Sequence, residues 1–377
     1  MKKDIIAKNM MFTINKIFNN KNLISLNYFN FSSSKNVSEI GPETINPTII
    51  NSNNKIIKNS LPLTKFDINK FKRNIVQVEE IDHPCFKDLN YVKRKKYIQD
   101  ISNSFNIGDE IPIIDYKQEE IAAWNYVTSK IFPKMRTNCC KEINKNFDIF
   151  SKEIGISTDQ IPQLRDISNI LEKKTGFTIC PVGGLLEGKH FLNALAFKVF
   201  CCTQFIRPLE RADLSGEPDV LHEIIGHTAM FADENFAQFS QDIGIASLGA
   251  SDEDIKVLSN IYWFTVEYGL VYEYETLKDE ADKNLEKRKI KIYGGGITPS
   301  VFEIDYALSM KANYWSLDFE KMQTAYYDYV NLSTNYFVAD DFESMKDKFR
   351  KYSKSILDKN NWFKFEKDKN KVLILNN

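Results

Sequence analysis

Two of the four histidines in this 377-residue chain stand five residues apart, in Pro218-Asp219-Val220-Leu221-His222-Glu223-Ile224-Ile225-Gly226-His227. A zinc-protease helix carries H-E-x-x-H, whose imidazoles sit four residues apart on one face with a metal between them. Here the second histidine comes one residue later. At about 100° per residue, positions 222 and 227 lie about 140° apart on a regular α-helix and cannot share an ion. Gly226 tolerates unusual backbone angles. One extra residue in a turn is what a π-bulge supplies, and such bulges gather at functional sites. The expectation is a locally widened helix that brings both rings to one point. A third ligand must come from elsewhere, because Glu223 points about 100° away from His222. Glu267, in "YWFTVEYG", is flanked by Trp263, Phe264 and Val266. A carboxylate in such company is costly unless it pairs or binds a metal. Two imidazoles and one carboxylate on one face, with positions left open, are the ligand set of non-haem iron(II) oxygenases. On these residues alone a zinc hydrolase using Glu223 as base stays open.

The elements that must position these groups are mostly helical. "KQEEIAAWNYVTSKIFPKM" sets Ile121, Trp124, Val127 and Ile131 on one stripe at helical spacing. "TDQIPQLRDISNILEKKTGF" reads as a helix capped at Thr158 or Asp159 and stopping near Gly176. "TGFTICPVGGLLEGKHFLNALAFKVFCCTQFIR" reads as a short strand, a glycine-containing loop and then a helix or strand; its glycines match neither phosphate-binding spacing. "DEDIKVLSNIYWFTVEYGLVYE" is a helix with an Asp252 cap, and "KIKIYGGGITPSVFEIDYAL" a strand, tight turn and loop. "WFKFEKDKNKVLIL" alternates on either side of Asp368-Lys369-Asn370, a β-hairpin signal. The resulting division is an N-terminal segment 1–60, a catalytic domain 61–355 and a C-terminal hairpin 356–377.

Bulk properties narrow the partners. A net charge of −1 gives no basic surface for nucleic acid or anionic lipid. No apolar run reaches the roughly 18 residues of a membrane span. The six cysteines include two adjacent pairs and no C-x-x-C, which fits neither a disulfide framework nor a zinc ribbon and suits a reducing compartment. The first 60 residues are rich in Asn, Ser, Ile and Lys. "MMFTINKIFNNKNLISLNYFNFSSS" mixes apolar and basic residues as a mitochondrial presequence does, but lacks arginine, so an Asn/Lys-rich tail is the alternative. The compartments expected are the cytoplasm or the mitochondrial matrix.

The segments "IPQLRDIS", "TGFTICPVGGLL", "FLNALAFKVFCCTQFIR", "EPDVLHEIIGHTAMFADENFAQFSQDIGIASLGA", "IYWFTVEYGL", "IYGGGI" and "YFVADDFESMKDK" occur in that order. Together they resemble the catalytic domain of the pterin-dependent aromatic amino acid hydroxylases, from about Leu61 to the C-terminus. The resemblance implies a mainly α fold with a few short strands and a C-terminal hairpin. It implies Fe(II) on His222, His227 and Glu267, tetrahydropterin (tetrahydrobiopterin) as electron source, and O2 as co-substrate, one oxygen going to the aromatic ring and one to the pterin. Phenylalanine 4-hydroxylation leads, with tyrosine 3- or tryptophan 5-hydroxylation as alternatives.

Residue by residue, the resemblance places Phe191 against the pterin face and Val182, Gly184, Leu185 and Leu186 in the loop lining it, with Glu223 and Tyr262 nearby. It gives Arg207 the substrate carboxylate, which a guanidinium can bind through both oxygens. Asp219 would orient Arg207 or a ligand histidine. Ser215, Pro218, Trp263, Gly296 and Ser300 would line the substrate. The sequence departs from the family at Pro299, where a serine is usual and Ser300 is the residue to take over. It also departs at Cys201, where histidine is common, and at Tyr329, near Tyr327, at a position tied to substrate choice. The animal enzymes add a folded N-terminal regulatory domain and a long tetramer-forming helix. Neither is expected here, so a homodimer joined by the hairpin is expected, without substrate activation through such a domain.

Overall fold

In the computed structural model, residues 61–75, 88–212, 217–275, 287–325, 333–358 and 363–375 are described. Residues 1–60, Ser215, Tyr327 and Tyr329 lie outside them, and so do the readings made there.

Of the expected stripe, Trp124, Val127 and Ile131 are buried along α2 (Gln118–Asn138) and Ile121 is only half-buried; α2 packs over the same core as α3 (Lys141–Ile154). The next helix, α4 (Leu164–Thr175), ends as expected at Gly176, which turns left-handed at φ 78°. Its start differs from expectation: the cap position is Gln163, not Thr158 or Asp159. Pro162 disfavours a helical conformation for Ile161, and Asp159 instead accepts a hydrogen bond from Asn125 Nδ2 (3.0 Å). Ahead of all three lies α1 (Leu89–Ser104), capped by Asp88, whose Oδ1 takes the amides of Asn90 and Tyr91.

After Gly176 the chain forms β1 (Thr178–Pro181), a loop, α5 (Gly188–Ala196) and β2 (Val199–Cys202). The strands are parallel, with Thr178 opposite Val199 and Cys180 opposite Cys201. A parallel pair needs a crossover of this kind. The loop 182–187 at the strand's carboxyl end is therefore held between a sheet and a helix. α5 lies along α6 (Glu234–Ser247), and α7 (Asp252–Tyr262) packs against both. The cap of α7 is Ser251, whose Oγ accepts from Asp254 N (3.1 Å), one residue before the position expected.

A four-stranded sheet closes one side, in the order β4 (Lys287–Ile292), β3 (Leu270–Glu275), β6 (Asn335–Ala339), β5 (Asn313–Ser316). β3 and β4 are antiparallel, while β6 runs parallel to both its neighbours. Between β4 and β5 the glycine turn 294–296 leads into α8 (Val301–Ala307), and α9 (Phe342–Leu357) follows β6. The C-terminal hairpin of β7 (Phe363–Glu366) and β8 (Lys371–Ile374) turns at Asn370, which is left-handed. Its apolar residues Phe363 and Val372 join the main core, which includes Ile68. Asp242 of α6 fastens it by ion pairs to Lys367 (2.8 Å) and to Arg350 of α9 (2.6 Å).

Candidate active site

The helix carrying the paired histidines is widened. Residues His222–Thr228 form a π-helix, in which each turn takes about one residue more than an α turn. Residues five apart thus return to the same face. Asp219 starts it: its Oδ1 accepts from His222 N (3.1 Å) and its carbonyl from Glu223 N (2.9 Å). Gly226 is required by close approach, since a Cβ there would stand 2.3 Å from the carbonyl oxygen of Gly295.

Glu267 ends a second π-helix, Trp263–Glu267, which continues directly from α7. The glycine turn ties the two together. Gly295 N donates to Val266 O and Gly296 N to Glu267 O, both at 2.8 Å, while the other side of Gly295 abuts Gly226 and the His227 ring.

The three proposed ligands converge. His222 Nε2 and His227 Nε2 stand 2.9 Å apart, and Glu267 places Oε1 3.3 Å from the second and Oε2 3.6 Å from the first. Two donors each about 2.1 Å from one ion and at right angles across it stand about 3 Å apart, so this set fits a single divalent cation. His227 is nearly sealed, whereas the side chains of His222 and Glu267 keep 18% and 12% of their exposure, which locates the open side. Burial holds the His222 imidazole down to about 4, so it is neutral at physiological pH. Burial works against the charge of Glu267, but facing His227 outweighs it and keeps the carboxyl below its usual range. A neutral imidazole and an ionised carboxylate are the ligand forms. One detail departs from the usual metal histidine: His227 Nδ1 is buried with no hydrogen-bond partner, where an acceptor is the rule.

Glu223 also lies within reach, since one atom each of His222, Glu223 and His227 fall within 4.8 Å of one another. Its Oε1, however, accepts from Thr203 N (3.0 Å) and Thr203 Oγ1 (3.1 Å). Burial pushes its carboxyl up to about 7. It is thus a fixed acid beside the ligands, and Glu267 is the better third donor.

Phe191 is partly exposed and meets Tyr262 (5.2 Å, 83°) and Phe200 (6.1 Å, 76°) edge to face; Phe200 in turn meets the His227 ring (5.3 Å). Among the described residues no ring stacks parallel on Phe191, so a flat heterocycle has a face to lie on. The loop beside it is pinned from behind. Val182 N bonds Cys202 O (2.9 Å), Gln99 Nε2 of α1 donates to Gly183 O (2.5 Å), and Leu186 bridges to Ile75. Gly184 and Leu185 lie between these ties.

Arg207 and Asp219 form a buried two-point pair, Nε to Oδ2 at 2.8 Å and Nη2 to Oδ1 at 2.7 Å, and Arg207 N adds a third bond to Oδ2 (2.9 Å). Asp219 is held below the ordinary carboxylate range by Arg207 in spite of burial. It therefore contacts both the arginine and the amide of His222. Pro218 O stands 3.0 Å from Thr203 Oγ1 and competes with Glu223 Oε1 for its one hydroxyl proton, and Trp263 stacks on Tyr268 (4.7 Å, 23°). Gly296 sits in the turn behind Glu267. Ser300 Oγ caps α8 by accepting from Glu303 N (3.3 Å), which leaves its hydroxyl proton to donate. The sequence reading missed Thr203 and Gln99, neither of which carries a spacing signal. The second π-helix was missed too, because no glycine or proline marks it.

The sequence profile described as biopterin-dependent aromatic amino acid hydroxylase matches residues 60–377. The phenylalanine-4-hydroxylase of Caenorhabditis elegans is 39% identical over 312 residues, 81% of this chain and 65% of that protein. The tryptophan 5-hydroxylase of Xenopus laevis is 42% identical over 279 residues, 74% of this chain and 55% of that one. The chain thus spans less than two thirds of the length of these relatives. The phenylalanine hydroxylase structure from Legionella pneumophila superposes with a TM-score of 0.58 at 28% identity, over 67% of this chain and 94% of that one.

Proposed function

Because the chain belongs to the biopterin-dependent aromatic amino acid hydroxylases, we propose that it is an Fe(II)- and tetrahydropterin-dependent monooxygenase acting on the ring of an aromatic amino acid, phenylalanine first, with tyrosine and tryptophan as alternatives. The observation that carries the proposal is the convergence of His222, His227 and Glu267 from two widened helices onto one point, open on one side. Iron bound there supplies O2 activation with electrons from the reduced pterin.

The chain's own residues do the remainder. Phe191 offers its face to the pterin ring, with Tyr262 fixing the angle of Phe191 from the side. The loop of Val182, Gly184, Leu185 and Leu186 presents backbone to the heterocycle's edge. Glu223, braced by Thr203, holds a carboxyl beside the ligands, where a bound pterin would meet it. Arg207, aligned by Asp219, receives the amino acid's carboxylate, and Trp263 and Pro218 line the space for its ring. Gly296 and Ser300 complete that wall; Ser215, the other residue expected to line the substrate, lies outside the described residues. Such fixed polar groups act without reorganising during the reaction.

A zinc hydrolase would need Glu223 as a free base for water. The Thr203 amide bond to Glu223 Oε1, with the Thr203 hydroxyl beside it, disfavours it. The deciding experiment is metal analysis of the purified protein together with turnover of phenylalanine, tyrosine and tryptophan side by side, with a tetrahydropterin supplied. Iron with pterin-dependent ring hydroxylation is expected. Zinc with peptidase activity, or no pterin dependence, would overturn the reading.

The assembly proposed is a homodimer through the C-terminal hairpin, whose Ile374 and Leu375 are 37% and 43% exposed. Light scattering on the eluting protein should give twice the chain mass; a tetramer contradicts it. No helix among the described residues is long and apolar enough to cross a membrane. An import assay decides between cytoplasm and mitochondrial matrix.

A further inference from the structure

Cys180 and Cys201 are register partners on the parallel strands β1 and β2. Register partners on adjacent parallel strands point to the same face, with backbones about 4.8 Å apart, which is inside the roughly 4.4–6.8 Å range of Cα separations in disulfides. Of the two, the Cys180 thiol reaches Pro181 O (3.8 Å). Both are free thiols, 0% and 4% exposed. The buried ammonium of Lys72, donating to Ser102 O (3.0 Å), acts on both sulfurs, Cys180 ahead of Cys201. Cys180 beside it and burial raise the Cys201 thiol well above its ordinary value, so Cys180, on which Lys72 acts more strongly, is the attacking sulfur.

The surroundings give this pair leverage. Two residues past Cys180 lies Val182, where the pterin loop begins, tied to Cys202 O. Two residues past Cys201 lies Thr203, which holds Glu223. Disulfide Cβ atoms stand about 3.8 Å apart, closer than neighbouring strands hold them. A bond here therefore draws the strands together by several tenths of an ångström between the pterin loop and the acid beside the ligands.

We propose that Cys180 and Cys201 form a reversible disulfide on exposure to a peroxide, and that this modification loosens tetrahydropterin binding. The Cys180 thiolate attacks one peroxide oxygen: an S–O bond forms, the O–O bond breaks and water leaves after protonation. The Cys201 sulfur then displaces the second oxygen as water, forming S–S and breaking S–O. Two thiols are oxidised by two electrons and one peroxide becomes two waters. Because closure strains the strand pair, the bond is readily reduced by small dithiols. Formation of the bond is independent of the functional reading, while its effect on the pterin rests on that reading.

The test treats the full chain with hydrogen peroxide, then measures intact mass, thiol titre, linked peptides and calorimetric affinity for tetrahydropterin, before and after dithiothreitol. The expected result is a loss of about 2 Da and of two titratable thiols, with one linkage, between the Cys180 and Cys201 peptides. Pterin affinity falls by about tenfold and returns on reduction. Cys180→Ser and Cys201→Ser, tested separately in case one fails to fold, should each show neither change. Sulfinic acid at either position, a linkage between other cysteines, or an unaltered thiol titre overturns the disulfide. A mapped disulfide with unchanged pterin affinity overturns the coupling. A reduced protein that never binds tetrahydropterin refutes the functional reading and leaves the linkage result standing.

Discussion

Replacing Gly226 by alanine tests how the metal point is built. The added methyl would lie 2.3 Å from Gly295 O, 3.0 Å from its carbonyl carbon and 3.1 Å from its Cα. Comfortable contact begins at about 3.5 Å, so the two backbones must part by about 1 Å. Gly295 cannot retreat easily, because its amide is bonded to Val266 O on the Glu267 helix. The movement falls on the first π-helix and on His227, the next residue. Metal–ligand distances tolerate only about 0.2 Å, so ferrous affinity should drop by ~100-fold, the upper range for disturbed ligand support. Overpacking should add a stability loss of about 1–3 kcal/mol. Chelator competition measures the first and urea unfolding the second. Gly155→Ala is the control: nothing lies within 4 Å of its Cβ position, but its φ of 65° is left-handed, so it should lose about 1–2 kcal/mol and keep its iron. A Gly226→Ala protein that binds iron within about threefold of the parent would refute the reasoning.

Three further outcomes are expected. His227→Ala should abolish iron binding and hydroxylation together, measured by metal content and turnover; normal iron would remove it from the ligand set. Asp219→Asn removes the carboxylate charge that meets the buried Arg207 at two points, which should cost about 3–5 kcal/mol of unfolding free energy and raise KM for the amino acid more than for the pterin. Glu303, whose Oε2 is sealed without a partner, is pushed up to about 7 from 4.5 by burial. Between those values the unfolded chain releases a proton that the folded chain retains, so stability falls as pH rises, by up to ~3 kcal/mol, and levels off above. Glu303→Gln should flatten that slope and gain stability at pH 8 but not at pH 4, read from urea unfolding across pH.

What was legible in the sequence came from local regularity. The α2 stripe, the stop at Gly176 and the hairpin around Asp368-Lys369-Asn370 each follow from a short period or a turn residue. The widening at His222–His227 was legible because a metal pair at a spacing of five makes geometric sense only on a wider turn. The same distortion at Trp263–Glu267 left no trace, since nothing in "WFTVE" requires it and only its tertiary partner, the glycine turn, makes it useful. The four-stranded sheet was equally hidden. β6 pairs with β3 through partners 68 residues apart, Leu270 with Val338 and Val271 with Ala339, and β5 lies exposed at the edge with no apolar alternation to announce it. Capping shifted to Gln163 because Pro162 and the Asn125–Asp159 bond decided locally, and to Ser251 because its hydroxyl takes the Asp254 amide.

One carboxylate, Asp219, holds the guanidinium with both its oxygens and the first amide of the histidine helix with one of them. The two halves of the pocket therefore share a hinge pin. Any lineage that retunes position 207 for a different substrate also pulls on the mounting of His222. Specificity can drift cheaply only on walls that do not touch this pin, around Trp263, and change should accumulate there before it reaches Arg207.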